Sequence, residues 1–178
     1  SPKNYYLSYD GAVKANEALY RSLNVPFVRL LRQHGIERFY STLKNMNMSS
    51  LVFDSGHYGL SLILGGAEGK LIEMSSMYAS LARVLISFNN TFDYSYSDYG
   101  VASYLNSQKV QVRDGQKVIS AAAIYNTFEA LSQVNRPISE KGWKAFSSAR
   151  KIAWKTGTSF GNKDAWAVGT TPKYVVGV

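Results

Sequence analysis

Three short extended runs close the chain, and the spacing between them admits few topologies. They are Lys151-Ile152-Ala153-Trp154-Lys155-Thr156, Ala165-Trp166-Ala167-Val168-Gly169 and Tyr174-Val175-Val176-Gly177-Val178, separated by turn signals at Gly161-Asn162 and Thr171-Pro172. Connections this short cannot hold a crossover helix, so the runs are expected to form an antiparallel meander. The rest of the sequence reads mostly as helix. Residues 12–20 carry Val13, Ala15, Ala18 and Leu19 at helical spacing after Asp10-Gly11. Pro26 suits the first turn of a helix over 27–34, which Gly35 would end. Residues 36–45 put Ile36, Phe39, Tyr40 and Leu43 on one face, and residues 70–85 carry a stripe of Leu71, Met74, Met77, Tyr78, Leu81 and Leu85. Ser120 is a fitting cap for a helix over 121–131. The expected class is α/β of the α+β kind, an antiparallel sheet flanked by helices, in one unit over residues 1–178. No repeat or low-complexity tract divides it. With 178 residues and 46% hydrophobic content, the chain can bury a substantial core.

Two segments are less regular. Residues 87–100 are rich in Ser, Asn, Asp, Phe and Tyr and are expected to form a loop or irregular hairpin. Its rings could grip an extended polar substrate, or pack on their own domain; the second reading is favoured. Residues 109–118 alternate around Asp114-Gly115, a hairpin signal.

The formal charge of +8 is spread along the chain, with no block of five or six basic residues. It reads as a solvated basic surface and gives no support to nucleic-acid binding. With no cysteine there are no disulfides and no thiolate metal sites, which fits an extracytoplasmic location. His34 and His57 form no ligand constellation, and neither a metal nor an organic cofactor is expected. No run of about 18 apolar residues marks a membrane segment. The closing residues read as a strand in mid-course, so a piece of a longer chain is expected.

Chemistry concentrates in two motifs. Within Trp154-Lys155-Thr156-Gly157-Thr158-Ser159, Lys155 on a strand offers a fixed ammonium, Thr156 and Thr158 offer hydroxyls, and Gly157 lets a substrate lie against the backbone. That set suits a peptide ending in a carboxylate, added along the strand and held by charge and hydrogen bonds. The second motif, Ser22-Leu23-Asn24, falls at a helix-to-helix junction. A serine there can relay a proton between a base and a leaving amine, and an asparagine can bond a substrate backbone. Alone, the pair could equally be a helix cap.

The stretches Asn16-Glu17-Ala18-Leu19-Tyr20-Arg21-Ser22-Leu23-Asn24-Val25-Pro26, Leu64-Gly65-Gly66 with Glu73-Met74, and Trp154 to Ser159 followed by Asp164-Ala165-Trp166 resemble the transpeptidase domain of class A penicillin-binding proteins. The resemblance covers nearly the whole chain. It implies a penicillin-binding-protein/β-lactamase-like fold, incomplete here, and a serine DD-transpeptidase that cross-links peptidoglycan stem peptides through an acyl-enzyme and is acylated by β-lactams. By the same resemblance Ser22 would be the proton-relay serine and Asn24 the substrate-amide ligand. Lys155 would support the serine pair electrostatically, Thr156 and Thr158 would hold the carboxylate, and the Thr158 N–H would complete the oxyanion hole beside Gly157.

One element of that family is missing. Ser41-Thr42-Leu43-Lys44 fits Ser-x-x-Lys, but it follows Ser-x-Asn where the family's nucleophile precedes it, and it lacks the usual proline after the lysine. The nucleophile is expected upstream of Ser1, together with the family's membrane anchor, so these residues alone are expected not to acylate. Two other readings stay open. A serine β-lactamase would need a deacylating base, and Glu68, Glu73, Glu129, Glu140 and Asp164 include no motif for one; a non-catalytic β-lactam sensor or peptidoglycan-binding module would keep the cleft without the reaction.

Overall fold

The C-terminal meander forms as expected. In a computed structural model of the protein, which describes residues 3–4, 11–103, 115–134, 142, 151–159 and 163–178, three strands lie in the order β1-β2-β3, all antiparallel. They are β1 (Ala153–Thr158), β2 (Ala165–Thr170) and β3 (Val175–Gly177). Pairing runs from Ala153 opposite Thr170 to Thr158 opposite Ala165, so the whole Lys155-Thr156-Gly157-Thr158 run sits on the ladder. The first strand starts and ends two residues later than its expected span of 151–156. Bonds beyond the ladder account for the extension: the Ser159 N–H donates to the Asp164 carbonyl at 2.9 Å, and the Asp164 N–H donates to Ser159 Oγ at 2.8 Å. The Gly161-Asn162 turn lies outside the described residues. At the second turn Thr171 Oγ1 accepts from the N–H groups of Lys173 and Tyr174, at 3.3 and 3.0 Å, and the Thr171 N–H donates to the Tyr174 carbonyl at 2.9 Å.

The helices are α1 (Ala15–Tyr20), α2 (Asn24–His34), α3 (Ile36–Asn45), α4 (Ser55–Tyr58), α5 (Leu71–Thr91) and α6 (Ala121–Leu131), with 3-10 turns at Gly59–Leu64 and Tyr96–Asp98. Gly35, at φ +97°, separates α2 from α3. A side chain would be strained there, which explains why the break falls on a glycine. The Ser120 hydroxyl caps α6, accepting from the Ala123 N–H at 3.2 Å. The hairpin expected over 109–118 falls largely outside the described residues, and residues 115–118 form no strand.

Helix α5 is the axis of the molecule, packed against β2, β3 and α6. Gly177 lets it approach the sheet: a Cβ there would come within 2.3 Å of Ser75 Oγ. Met77 of the expected stripe is buried, but so are Glu73, Ser76, Ser80 and Val84, because this helix is covered on more than one side. Its core partners include Leu51, Tyr58, Leu62, Tyr99 and Ile124.

The helix also runs to Thr91, past the expected end near 85. Its last turns carry loop-favouring residues, but tertiary bonds hold them: Ser87 Oγ donates to Asp98 Oδ1 at 2.8 Å, and Arg83 reaches the carbonyls of Asp98 and Gly100 at 2.9 and 2.7 Å. The aromatic segment after it turns inward. Tyr94 and Tyr99 both donate to the Ile119 carbonyl, at 3.1 and 2.9 Å, and Tyr96 donates to the Asn45 carbonyl at 3.1 Å. These rings therefore pack on their own domain.

Among the described residues α5 alone is long and apolar enough, by length and composition, to cross a membrane. Its buried carboxylate and serines mark it instead as a core helix. Glu73 accepts from the hydroxyls of Ser49 and Ser50, from the Ser50 N–H at 3.2 Å and from the Lys70 N–H at 3.4 Å. Burial pushes its carboxyl up, but the hydroxyl and amide donors outweigh it and hold the group below the usual glutamate range.

Candidate active site

Residue 22 owes its place to the way α1 ends. The Leu23 N–H donates back to the Ala18 carbonyl at 2.9 Å and the Ser22 N–H to the Leu19 carbonyl at 3.1 Å, the double closure of a Schellman motif. Its penultimate position needs a left-handed backbone, and Ser22 supplies it at φ +57°. Glycine is the usual occupant; a serine costs on the order of 1 kcal/mol. The side chain that this strain retains is exposed and meets β1. Lys155, half-buried on that strand, donates from Nζ to Ser22 Oγ across 133 residues of sequence, and to the Thr156 carbonyl at 2.7 Å.

Among the described residues no carboxylate pairs with Lys155. Burial of its ammonium, uncompensated by an anion, holds its pKa below the usual lysine range. Strand alternation places Lys155 on the face of Ala153, which is buried beneath α6, and places Thr156 and Thr158 on the opposite face. Thr156, Gly157 and Thr158 are all exposed, and neither threonine hydroxyl bonds another described residue. A Cβ built on Gly157 would meet nothing within 4 Å. One side of β1 pairs with β2, and the other carries no strand among the described residues.

Asn24 is the first residue of α2, two positions after Ser22. Its Nδ2 donates to the Lys3 carbonyl at 3.0 Å. Next to it the Val25 N–H donates to Oδ1 of Asn4 at 3.1 Å. Asn4 is a residue that sequence reasoning missed, since nothing in its local pattern links it to a helix 21 residues downstream.

The structure thus brings Ser22 to Lys155, with Thr156, Gly157 and Thr158 continuing along the same strand and Asn24 opening the helix that follows the Ser22 turn. It does not pair Ser41 with Lys44. Ser41 Oγ donates to Glu37 Oε1 at 3.4 Å, and Lys44 Nζ donates to the Leu51 carbonyl at 3.1 Å. Other carboxylates have partners of their own: Tyr58 donates to Glu68 at 3.0 Å, and Lys151 pairs with Glu129 at 2.5 Å. Glu140 lies outside the described residues. Among those residues no three His, Asp or Glu side chains converge as a metal site would require.

No protein-family model matches the chain. It is 32% identical to penicillin-binding protein 1C of Escherichia coli (strain K12) over 177 residues, covering 99% of this chain and 21% of that protein. It is 27% identical to penicillin-binding protein 4 of Bacillus subtilis (strain 168), covering 99% of this chain and 27% of that protein. The chain therefore spans about a fifth to a quarter of the length of these curated relatives. In fold it is similar to crystalline penicillin-binding protein 1A from Haemophilus influenzae, with a TM-score of 0.66 over 94% of this chain and 30% of that one, at 20% identity. Along nearly its whole length, the chain is homologous to class A penicillin-binding proteins.

Proposed function

We propose that residues 1–178 are part of a serine DD-transpeptidase domain, of penicillin-binding-protein/β-lactamase-like fold, that cross-links peptidoglycan stem peptides through an acyl-enzyme and is acylated by β-lactams. The observation that carries this reading is the Lys155-to-Ser22 contact beside an exposed Thr-Gly-Thr strand. Because the ammonium donates to Ser22 Oγ, the hydroxyl proton of Ser22 is left to point elsewhere. It can go to the leaving amine while Ser22 Oγ takes the proton of an attacking serine, a two-proton relay through one oxygen. The positive charge beside it stabilises the anionic character that builds up on the relay.

Thr156 and Thr158 have hydroxyls without partners in the described residues and flank a glycine that the chain's own packing does not require. Those properties suit a peptide carboxylate laid along the edge of β1 that carries no strand among the described residues, which side chains from both faces of the strand border, with the Thr158 N–H as an oxyanion donor. Asn24 uses one amide hydrogen on Lys3 and keeps a second for a substrate carbonyl. The nucleophile belongs, in this reading, to sequence outside these residues, on the outer face of the membrane. The carboxylates of Glu68, Glu73 and Glu129 are engaged elsewhere, and neither they nor Glu140 and Asp164 fall in a motif for a deacylating base, which favours acyl transfer over β-lactam hydrolysis.

Fluorescent penicillin tests the reading. The full-length protein is expected to be labelled covalently in a single burst, and residues 1–178 alone are expected to remain unlabelled. Label on the short chain that vanishes with Ser41→Ala would overturn the assignment of the nucleophile. Sustained nitrocefin turnover would make the protein a β-lactamase, and a full-length protein that never labels would leave a binding module.

A further inference from the structure

The Ser22 turn is fastened on both sides, and only one fastening is local. On the α1 side the Schellman bonds hold it. On the α2 side the sequence provides no cap of its own: Leu23 has no polar side chain, and no side-chain bond from it closes the helix. Pro26 has no N–H to satisfy, which leaves the amides of Asn24 and Val25 as the orphan donors at the start of the helix, and the Val25 amide finds a partner. That partner is Asn4 Oδ1, at 3.1 Å. The link is reciprocal, since Asn24 Nδ2 donates to the Lys3 carbonyl at 3.0 Å. Asn4 is 8% exposed, although Lys3 beside it is exposed, so the amide is held inward against α2.

From this geometry we infer that Asn4 is a positioning residue for the Ser22–Lys155 contact: it serves as the missing cap of α2 and so holds the Ser22 turn in register with β1. The inference rests on the proposed roles of Ser22 and Lys155. An ordinary cap would stabilise the helix and nothing more. A positioning residue must act on the reaction through Ser22, so its effect should disappear when the Ser22 hydroxyl is removed.

The test uses the full-length protein and the rate of acylation by fluorescent penicillin. Asn4→Leu is expected to slow acylation about tenfold in the wild-type background and less than about twofold in a Ser22→Ala background. Asn4→Asp, which retains the acceptor, is expected to restore the rate to within about twofold. Should Asn4→Leu fail to fold, Asn4→Ser, whose oxygen falls short of Val25, takes its place. Equal slowing in both backgrounds, or no rescue by aspartate, would overturn the inference.

A wild-type protein that shows no acylation refutes the functional reading and leaves the geometry to be judged by NMR titration of the Lys155 ammonium. Asn4→Leu should then move that titration toward the ordinary lysine value, with Asn4→Asp moving it back. An unchanged titration would overturn the positioning role.

Discussion

Helices α5 and α2 both begin without a side-chain cap from their own N-cap residue, and the two starts are completed in opposite ways. At α5, Glu73 folds back and is saturated: two hydroxyls and two backbone amides converge on its carboxylate. At α2 the cap comes from Asn4, and where the turn before the helix meets β1 the polar groups are left under-used. The Lys155 ammonium, with three hydrogens to give, has two acceptors in Ser22 and Thr156. Ser22 holds a backbone conformation that glycine would adopt more easily. The first junction leaves its buried carboxylate fully hydrogen-bonded. The second keeps a charge without a counter-ion among the described residues and a strained residue, the pattern expected where surplus donors and stored strain serve chemistry.

That contrast can be broken in several places, and the largest effect belongs to Lys155. In the full-length protein Lys155→Met is expected to slow penicillin acylation by about a hundredfold or more, without lowering the melting temperature. A variant that labels normally would place Lys155 with Glu73, among structural groups. Next comes Glu73→Ala, which strands the hydroxyls of Ser49 and Ser50 and is expected to cost about 3 kcal/mol in urea unfolding.

Glu73 and Lys155 also differ in the sign of their pH dependence. Glu73 titrates below its unfolded value of about 4.3, so its contribution is fully present above that pH and is lost as pH falls through the depressed folded value. Glu73→Gln should therefore flatten the acid limb of the stability curve. Lys155 behaves oppositely: its burial destabilises the fold at neutral pH, and the penalty is relieved as pH rises from the depressed folded value through about 10.4.

The smallest effect concerns the backbone at Ser22. Ser22→Gly is expected to be about 1 kcal/mol more stable than Ser22→Ala, since both lose the hydroxyl and only glycine relieves the left-handed conformation. Equal melting temperatures would mean that no strain is stored there.

Much of this fold is legible in the amino-acid sequence. Short spacers made the 151–178 region antiparallel, and the helices at 36–45 and 121–131 fell on their expected spans because periodicity, Gly35 and Ser120 agreed. Where local preference and tertiary contacts disagreed, tertiary contacts prevailed. The last turns of α5 contain Ser87, Asn89 and Asn90, yet Asp98 and Gly100 anchor that end through Ser87 and Arg83. The aromatic segment, rich enough in rings to suggest a rim, instead buries Tyr99 to 2% exposure.

The candidate site divides along the same line. By itself the sequence determined which functional groups are available, and it placed Lys155 on a strand and Ser22 in a turn, because those properties depend on residue type and near neighbours. Only the tertiary structure decided that Ser22 and Lys155 meet, that Lys155 is half-buried with no anion beside it among the described residues, and that Asn4 caps α2. Each of these joins positions distant in the chain, and local sequence carries no record of a contact whose energy comes from the rest of the fold.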